Sequence, residues 1–414
     1  MSVGAAVGLL DLKIESIATG GDGVARADGL VVFVPRTAPG DVARVRVESA
    51  KRFARGRLEA LIVPSPDRMM PPCAHYTVDR CGGCQLQHLR YESQLEVKRR
   101  IVRDAVQRIA KREIEAPAIR RSPREWRYRT KLTLTMRRGA NGWTMGLRPF
   151  DDPTAVFQLR DCPITDERVV ATWREIMAAA AYLPDVGELR GIARLTGDDV
   201  VAVMRGGSDW PQSAEFFDAV PSVAALWWAP AESHARLVHE RRHTAAGASF
   251  GQVNADVAQE LHEHVVRLVS AHRPSTVVDA YSGTGETAAA LARLGMRVTA
   301  IEVDRDAAAW CKNRLPAGSQ SLTGRVEDLL MRALPADVVL VNPPRVGLHE
   351  RVAASLGRAA AQTRAVVYAS CDPATLGRDL ARMPEYRIAS IVAFDMFPQT
   401  AHVETVCELV PATS

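Results

Sequence analysis

The chain has 414 residues, 47% of them hydrophobic, with 53 Lys and Arg against 48 Asp and Glu and a net charge of +5. That length exceeds one ordinary core and implies about two to four domains, and the apolar fraction is enough to fill them. No apolar run reaches the roughly 18 residues of a membrane span, Met1 to Leu10 lacks a basic n-region and cleavage site, and seven unevenly spaced cysteines make no disulfide framework, so the expectation is a soluble cytoplasmic protein with reduced thiols.

Residues 8 to 63 read as short strands, Leu9 to Ile17, Leu30 to Val34, Val42 to Val47 and Gly56 to Ile62. Gly20-Gly21-Asp22-Gly23, Asp28-Gly29 and Pro39-Gly40-Asp41 supply the turns. This pattern predicts a small barrel of the oligonucleotide-binding type, with a generic small barrel as the alternative.

After Pro64-Ser65-Pro66 come Cys73 and Cys81-Gly82-Gly83-Cys84. Two cysteines two residues apart can grip one metal centre, and the glycines let the backbone fold closely around it. Cys162, in Arg160-Asp161-Cys162-Pro163, is the remaining cysteine outside the C-terminal part. Four thiolates suit a structural zinc or a four-iron four-sulfur cluster, and the spacing does not decide between them.

Tyr91 to Ala110 reads as an amphipathic helix with Leu95, Ile101, Val102, Val106 and Ile109 on its apolar side. The basicity of the chain is local: Lys98 to Lys131 holds 13 Lys and Arg against 4 Asp and Glu. The run continues into Trp126-Arg127-Tyr128-Arg129-Thr130-Lys131, where aromatic and basic residues interleave. Such a surface suits phosphate contact and base stacking, although an isolated charge run is more often a solvated helix face. Residues 126 to 245 predict a mixed α+β domain, with Trp227-Trp228 as core.

From Asn254 helices and strands alternate, which predicts an α/β, doubly wound, mainly parallel sheet of Rossmann-like type. Its strands are expected at Thr276 to Ala280, Arg297 to Glu302, Val338 to Asn342, Ala365 to Ser370, Arg387 to Phe394 and Thr405 to Val410. The first ends in Asp279-Ala280-Tyr281-Ser282-Gly283-Thr284-Gly285, a turn that lets a ligand approach the backbone. The second ends in Glu302, an acid placed to accept hydrogen bonds from ribose hydroxyls. Cys371 closes the strand Ala365 to Ser370 and precedes a helix-starting proline, so the helix N-terminus is expected to favour a thiolate there. Cys371 is the candidate nucleophile.

The glycine turn and its following acid resemble class I S-adenosylmethionine-dependent methyltransferases. With the N-terminal barrel, Cys81-Gly82-Gly83-Cys84 before Gln85-Leu86-Gln87-His88, Phe250-Gly251-Gln252-Val253-Asn254, Asn342-Pro343-Pro344-Arg345, Ser370-Cys371-Asp372-Pro373 and His402-Val403-Glu404-Thr405, the chain resembles the RNA 5-methyluridine methyltransferase family across nearly its whole length. The resemblance implies a TRAM domain for the barrel and a four-iron four-sulfur cluster on Cys73, Cys81, Cys84 and Cys162, with zinc as the alternative. It implies Glu404 as general base, and Gln252, Asp279, Tyr281, Gly283, Gly285, Glu302 and Asn342 around S-adenosylmethionine. Two positions depart from the family pattern, Asn342 where many relatives carry Asp and Asp372 where Asn is common.

Residue chemistry agrees. C5 of uracil is a poor nucleophile until a thiolate adds to C6, and after methyl transfer a base must remove the C5 proton. The implied partner is RNA from which a uridine is extruded, with 23S ribosomal RNA ahead of transfer RNA uridine 54. The rival readings are a non-catalytic RNA-binding protein with a methyltransferase-like domain, and a methyltransferase acting on a protein or small molecule. The expected organisation is a barrel over 1–64 that binds RNA, a central domain over 65–245 with the four-cysteine site, and a methyltransferase domain over 246–414, in a monomer.

Overall fold

The computed structural model describes residues 8–48, 53–231, 233–242 and 252–412. Phe250 and Gly251 of the Phe250–Asn254 motif lie outside the described residues. Among the described residues no helix is long and apolar enough to cross a membrane.

The N-terminal sheet has six strands in the order Gly8–Lys13, Val42–Glu48, Ala54–Val63, Leu30–Val34, Gly23–Ala27 and Ser16–Ile17. Alternation decides its faces: Ala43, Val45 and Val47 point into the core while Arg44 and Arg46 point out. The strand Gly23–Ala27 is hidden in the sequence because five small and polar residues carry little apolar signal. Its hairpin to Leu30–Val34 turns at Asp28 and Gly29, both with positive φ, which matches the twist of the two strands.

The central sheet runs Phe157–Gln158, Gly142–Leu147, Lys131–Gly139, Glu188–Thr196, Asp199–Arg205, Val223–Ala229 and Arg236–Glu240. Leu132, Leu134 and Met136 alternate into a core completed by the helix Glu167–Ala178, and Trp228 sits in that core against Trp210.

The C-terminal sheet has eight strands, ordered Gln320–Thr323, Arg297–Glu302, Thr276–Ala280, Val338–Val341, Ala365–Ser370, Glu404–Pro411, Tyr386–Phe394 and Ala118–Arg120. The first five are parallel, and Glu404–Pro411 is antiparallel to both its neighbours. Helices cover both faces, which is why Val338–Val341 and Ala365–Ser370 are buried at every position. Strand order reverses between Thr276–Ala280 and Val338–Val341, and the crevice beyond such a switch point is where open α/β sheets bind ligands.

The helix Tyr91–Ala105 continues into one π-helical turn, Val106–Ala110, that packs on the helix Pro373–Ala381 following Cys371. A Cβ on Gly377 would lie 2.8 Å from the Ala105 carbonyl oxygen, so the two helices meet at backbone distance. The wider turn rotates the helix face, leaving Ile109 exposed although helical spacing assigns it to the apolar side.

Candidate active site

Strand register brings the C-terminal ends of four parallel strands and the N-terminal end of the antiparallel Glu404–Pro411 to one edge. Ala280 pairs with Ile301 and Val341, Val341 pairs with Tyr368, and Ser370 pairs with Thr405. Tyr281, Glu302, Asn342, Cys371 and Glu404 therefore leave or enter the sheet along that edge.

The turn after the first strand is held in a conformation most residues avoid, with φ of +64° at Tyr281, +54° at Gly283 and +77° at Gly285. Glu302 latches it: one carboxylate oxygen accepts from the Gly283 amide and the other from the Asp304 amide, each at 2.8 Å. The two glycines serve different ends. A Cβ at Gly283 would meet nothing within 4 Å, whereas at Gly285 it would lie 2.3 Å from the Cys311 sulfur. Gly283 borders open space and Gly285 lets the helix Arg305–Arg314 approach.

Asp279 is buried below this turn with one carboxylate oxygen lacking a hydrogen-bond partner among the described residues, and burial pushes its pKa up to about 7. Burial also pushes the Tyr281 hydroxyl up to about 12. The Asn342 amide donates to the Ala280 carbonyl at 3.3 Å, and its side chain is exposed at the edge. Gln252 is exposed, and its carbonyl accepts from the Thr130 hydroxyl at 3.3 Å, which ties it to the central domain.

Cys371 is half-buried, and its thiol is pushed up by burial and by the neighbouring Glu404 and Asp372, with Arg345 acting in the opposite direction. A backbone hydrogen bond at Cys371 acts in favour of the thiolate, but burial outweighs it. Asp372 caps the helix Pro373–Ala381 through the Thr375 amide at 2.7 Å, placing a carboxylate where the helix N-terminus meets the thiol. Glu404 is 8% exposed, and burial raises its carboxyl to about 7 against the pull of Arg345. A carboxyl of that kind accepts a proton near neutral pH. Arg345 is the residue to which sequence reasoning gives no role: it is visible in Asn342-Pro343-Pro344-Arg345, but only tertiary structure shows that it acts on both Cys371 and Glu404.

Two residues of the basic aromatic segment are not surface groups. Lys98 is fully buried against Asp395, and Tyr128 is fully buried with its hydroxyl donating to the Pro398 carbonyl at 2.9 Å. Neither is available to phosphate or to a base, because both hold the loop that leads to Glu404.

Cys73, Cys81, Cys84 and Cys162 are all buried and line one cavity of about 110 Å³ with Gln87, Arg129 and Thr133. Among the described residues no group of three or more His, Cys, Asp or Glu is placed to hold one metal ion. Arg36 lies over the Tyr76 ring at 3.2 Å, has a buried Nη1 without a partner, and is electrostatically coupled to Cys81, Cys84 and Cys73. Burial lowers its pKa to about 10 and raises that of Cys81 to about 11.

Comparison with known proteins bears on family and fold. Residues 317–410 match the tRNA (Uracil-5-)-methyltransferase family and residues 9–58 match the TRAM domain. An uncharacterized RNA methyltransferase of Listeria monocytogenes serotype 4b (strain F2365) is 29% identical over 446 residues, covering 97% of each chain. One from Protochlamydia amoebophila (strain UWE25) is 30% identical over 431 residues, covering 96% of each. The crystal structure of Pyrococcus abyssi tRNA (uracil-54, C5)-methyltransferase in complex with S-adenosyl-L-homocysteine shares the fold with a TM-score of 0.69 and 24% identity, over 97% of this chain and 100% of that one. By full-length similarity to RNA methyltransferases and by both domain matches, the chain belongs to the RNA (uracil-5-)-methyltransferase family.

Proposed function

We propose that the chain transfers the methyl group of S-adenosylmethionine to C5 of a uridine in RNA through a covalent adduct between Cys371 and C6. The observation that carries this reading is the adjacency of a thiol and a neutral-range carboxyl at one sheet edge, with Arg345 acting on both. The Cys371 thiolate adds to C6, and the electron pair moves onto the C4 carbonyl as an enolate. C5 then attacks the sulfonium methyl group and S-adenosylhomocysteine leaves. Glu404 takes the C5 proton, C5=C6 re-forms, and the thiolate is expelled. Arg345 favours the ionised forms of both groups, thiolate for addition and carboxylate for elimination.

Asp279, Tyr281, Gly283, Gly285 and Glu302 line the donor pocket, with Glu302 retaining acceptor capacity for ribose hydroxyls beyond its two amide bonds. Gln252 and Asn342 flank the donor and the target base. The barrel over 1–64 and the basic surface of the central domain hold the surrounding RNA, which is ribosomal in this reading, in the cytoplasm and as a monomer; a preference for transfer RNA in the assay below would assign the other substrate.

Cys73, Cys81, Cys84 and Cys162 would hold a four-iron four-sulfur cluster. When bound, it supplies iron–thiolate bonds that cross-link the Cys81–Cys84 turn to the Cys162 loop. The unpartnered Arg36 nitrogen beside three of these sulfurs suits an anionic centre. Zinc is the alternative occupant, since four thiolates suit a structural zinc equally well.

The test uses labelled S-adenosylmethionine and RNA containing 5-fluorouridine, whose C5 substituent cannot leave as a cation. Wild type is expected to form a covalent methylated adduct that Cys371→Ala abolishes. If wild type and variant behave alike, the mechanism is wrong.

A further inference from the structure

The loop that delivers Glu404, residues 395–403, is irregular and yet largely buried, and Asp395, Phe397 and Gln399 are bonded by elements far away in sequence. Gln94, in the helix Tyr91–Ala105, accepts from the Gln399 amide at 2.9 Å and donates to the Gln399 side-chain oxygen and the Leu89 carbonyl, each at 2.9 Å. The Gln399 carbonyl accepts from the Gln85 and Leu86 amides at 3.1 and 3.0 Å, the first two residues after Cys84. Lys98 donates to Asp395 and, at 2.9 Å, to the Phe397 carbonyl, while the Tyr91 hydroxyl donates to the other Asp395 oxygen at 2.8 Å.

Gln94 and Lys98 are 0% exposed and Gln399 is 2% exposed. A buried polar network of this kind is costly unless every member is satisfied, and once satisfied it specifies a single arrangement. Gln399 has φ of +71°, a conformation that a non-glycine residue keeps only where its surroundings over-determine it. Its N–H, C=O and side chain are each bonded across the interface. The chain then reaches His402, whose ring meets Phe397 edge-on at 5.9 Å, and Glu404. Ala401 packs with Ile17, Ala38, Leu86, Leu89, Val97 and Ile101, an apolar cluster drawn from the barrel, the cysteine turn and the helix.

We propose that Gln94 and Gln399 are positioning residues that seat Glu404 for proton removal from C5, so that loosening this contact stalls the reaction after methyl transfer. This rests on the reading of Glu404 as the base. Neither glutamine touches substrate; both act by fixing the backbone that leads to the carboxyl. A misplaced base leaves thiolate addition and methyl transfer intact but slows loss of the C5 proton, so the methylated adduct on Cys371 outlives the point at which C5=C6 would re-form.

The test is made on the full chain with labelled S-adenosylmethionine and RNA containing ordinary uridine, comparing wild type with Gln94→Leu. Should that variant fail to fold, Gln94→Glu keeps the acceptor for the Gln399 amide and turns the donor end into a carboxylate oxygen that repels the Gln399 side-chain oxygen and the Leu89 carbonyl, loosening the same contact. The expected result is an adduct stable in denaturing gels that accumulates in the variant and not in wild type, with turnover at least tenfold lower and RNA affinity within twofold. Turnover within twofold of wild type, or a loss of turnover with no adduct, overturns the proposal. Wild type with 5-fluorouridine RNA is run alongside. No adduct there means that the catalytic reading itself has failed, whereas an adduct there with a wild-type-like Gln94 variant removes only the positioning role.

Discussion

Ser370 and Thr405 are paired across an antiparallel ladder, with the Thr405 hydroxyl donating to the Ser370 carbonyl at 3.2 Å. The pairing sits at the last residue of one strand and the second of the other, so Cys371 and Glu404 emerge beside one another. The apposition of the proposed nucleophile and the proposed base is thereby written into strand register, which is among the more rigid features a fold offers.

Activity should rise with pH through neutrality. Glu404 must be ionised to act as base, and its pKa is about 7; the Cys371 thiol, raised by burial and Glu404, must also ionise. Both requirements have the same sign, so the rate increases with pH and has no acid optimum. Arg345→Met removes the cation that lowers both groups, and the midpoint of the pH–rate profile should move to higher pH, by about one unit. A midpoint that stays in place or moves down refutes the role given to Arg345.

Asp279 gives a stability signature independent of turnover. Its folded pKa, about 7, is raised from an ordinary value of 3.8. The folded protein therefore holds a proton that the unfolded chain has released. The stability linked to it is fully present below about pH 4 and is lost as pH rises to about 7, an effect on the order of a few kcal/mol. Asp279→Asn should flatten the fall in melting temperature between pH 5 and 7.5. Equal slopes in variant and wild type would contradict this.

The two glycines of the donor turn should respond differently to alanine. Gly285→Ala drives a methyl group to 2.3 Å from the Cys311 sulfur and should cost about 1–3 kcal/mol of stability together with donor affinity. Gly283→Ala meets no atom within 4 Å of the new carbon and carries only the strain of positive φ, about 1 kcal/mol. Thermal melts in the absence of donor rank the two, whereas in calorimetric binding of S-adenosylhomocysteine Gly283→Ala should lose more affinity than its small stability cost implies, because the new methyl group occupies space assigned to the donor. The reverse order would mean that the turn is not held as described.

Protein purified without oxygen should be brown and contain iron and acid-labile sulfide in equal amounts, and Cys162→Ala should lose both. A colourless protein with zinc would sink the cluster reading.

The parallel sheet is legible in the sequence because buried strands such as Val338–Val341 and Ala365–Ser370 are continuous apolar runs, and its ligand edge because glycines and an acid end the first two strands. Cys371 is legible from its place between a strand and a proline, but the charge state of its thiol is not. That depends on Glu404 and Arg345, which lie tens of residues away in the chain. Ala118–Arg120 joins the C-terminal sheet beside Tyr386–Phe394, and a three-residue strand has too few side chains to show a period. Lys98 and Tyr128 read as surface groups because charge and aromatic interleaving describe composition, whereas burial against Asp395 and Pro398 is a property of the fold.

The clasp around residues 395–403 also bears on how the protein is born. Tyr91 and Asp395 are separated by 304 positions and Gln94 and Gln399 by 305, so the helix leaves the ribosome long before the loop it grips. At elongation rates of about 5–20 residues per second the interval is on the order of 15–60 seconds. During that time Tyr91, Gln94 and Lys98 lack the loop groups they bind in the folded protein, and Glu404 does not yet exist. A nascent chain can fold its barrel and central sheet, but the proposed methyl transfer with product release waits for Glu404–Pro411, so under the proposed mechanism RNA met during translation is left unmodified.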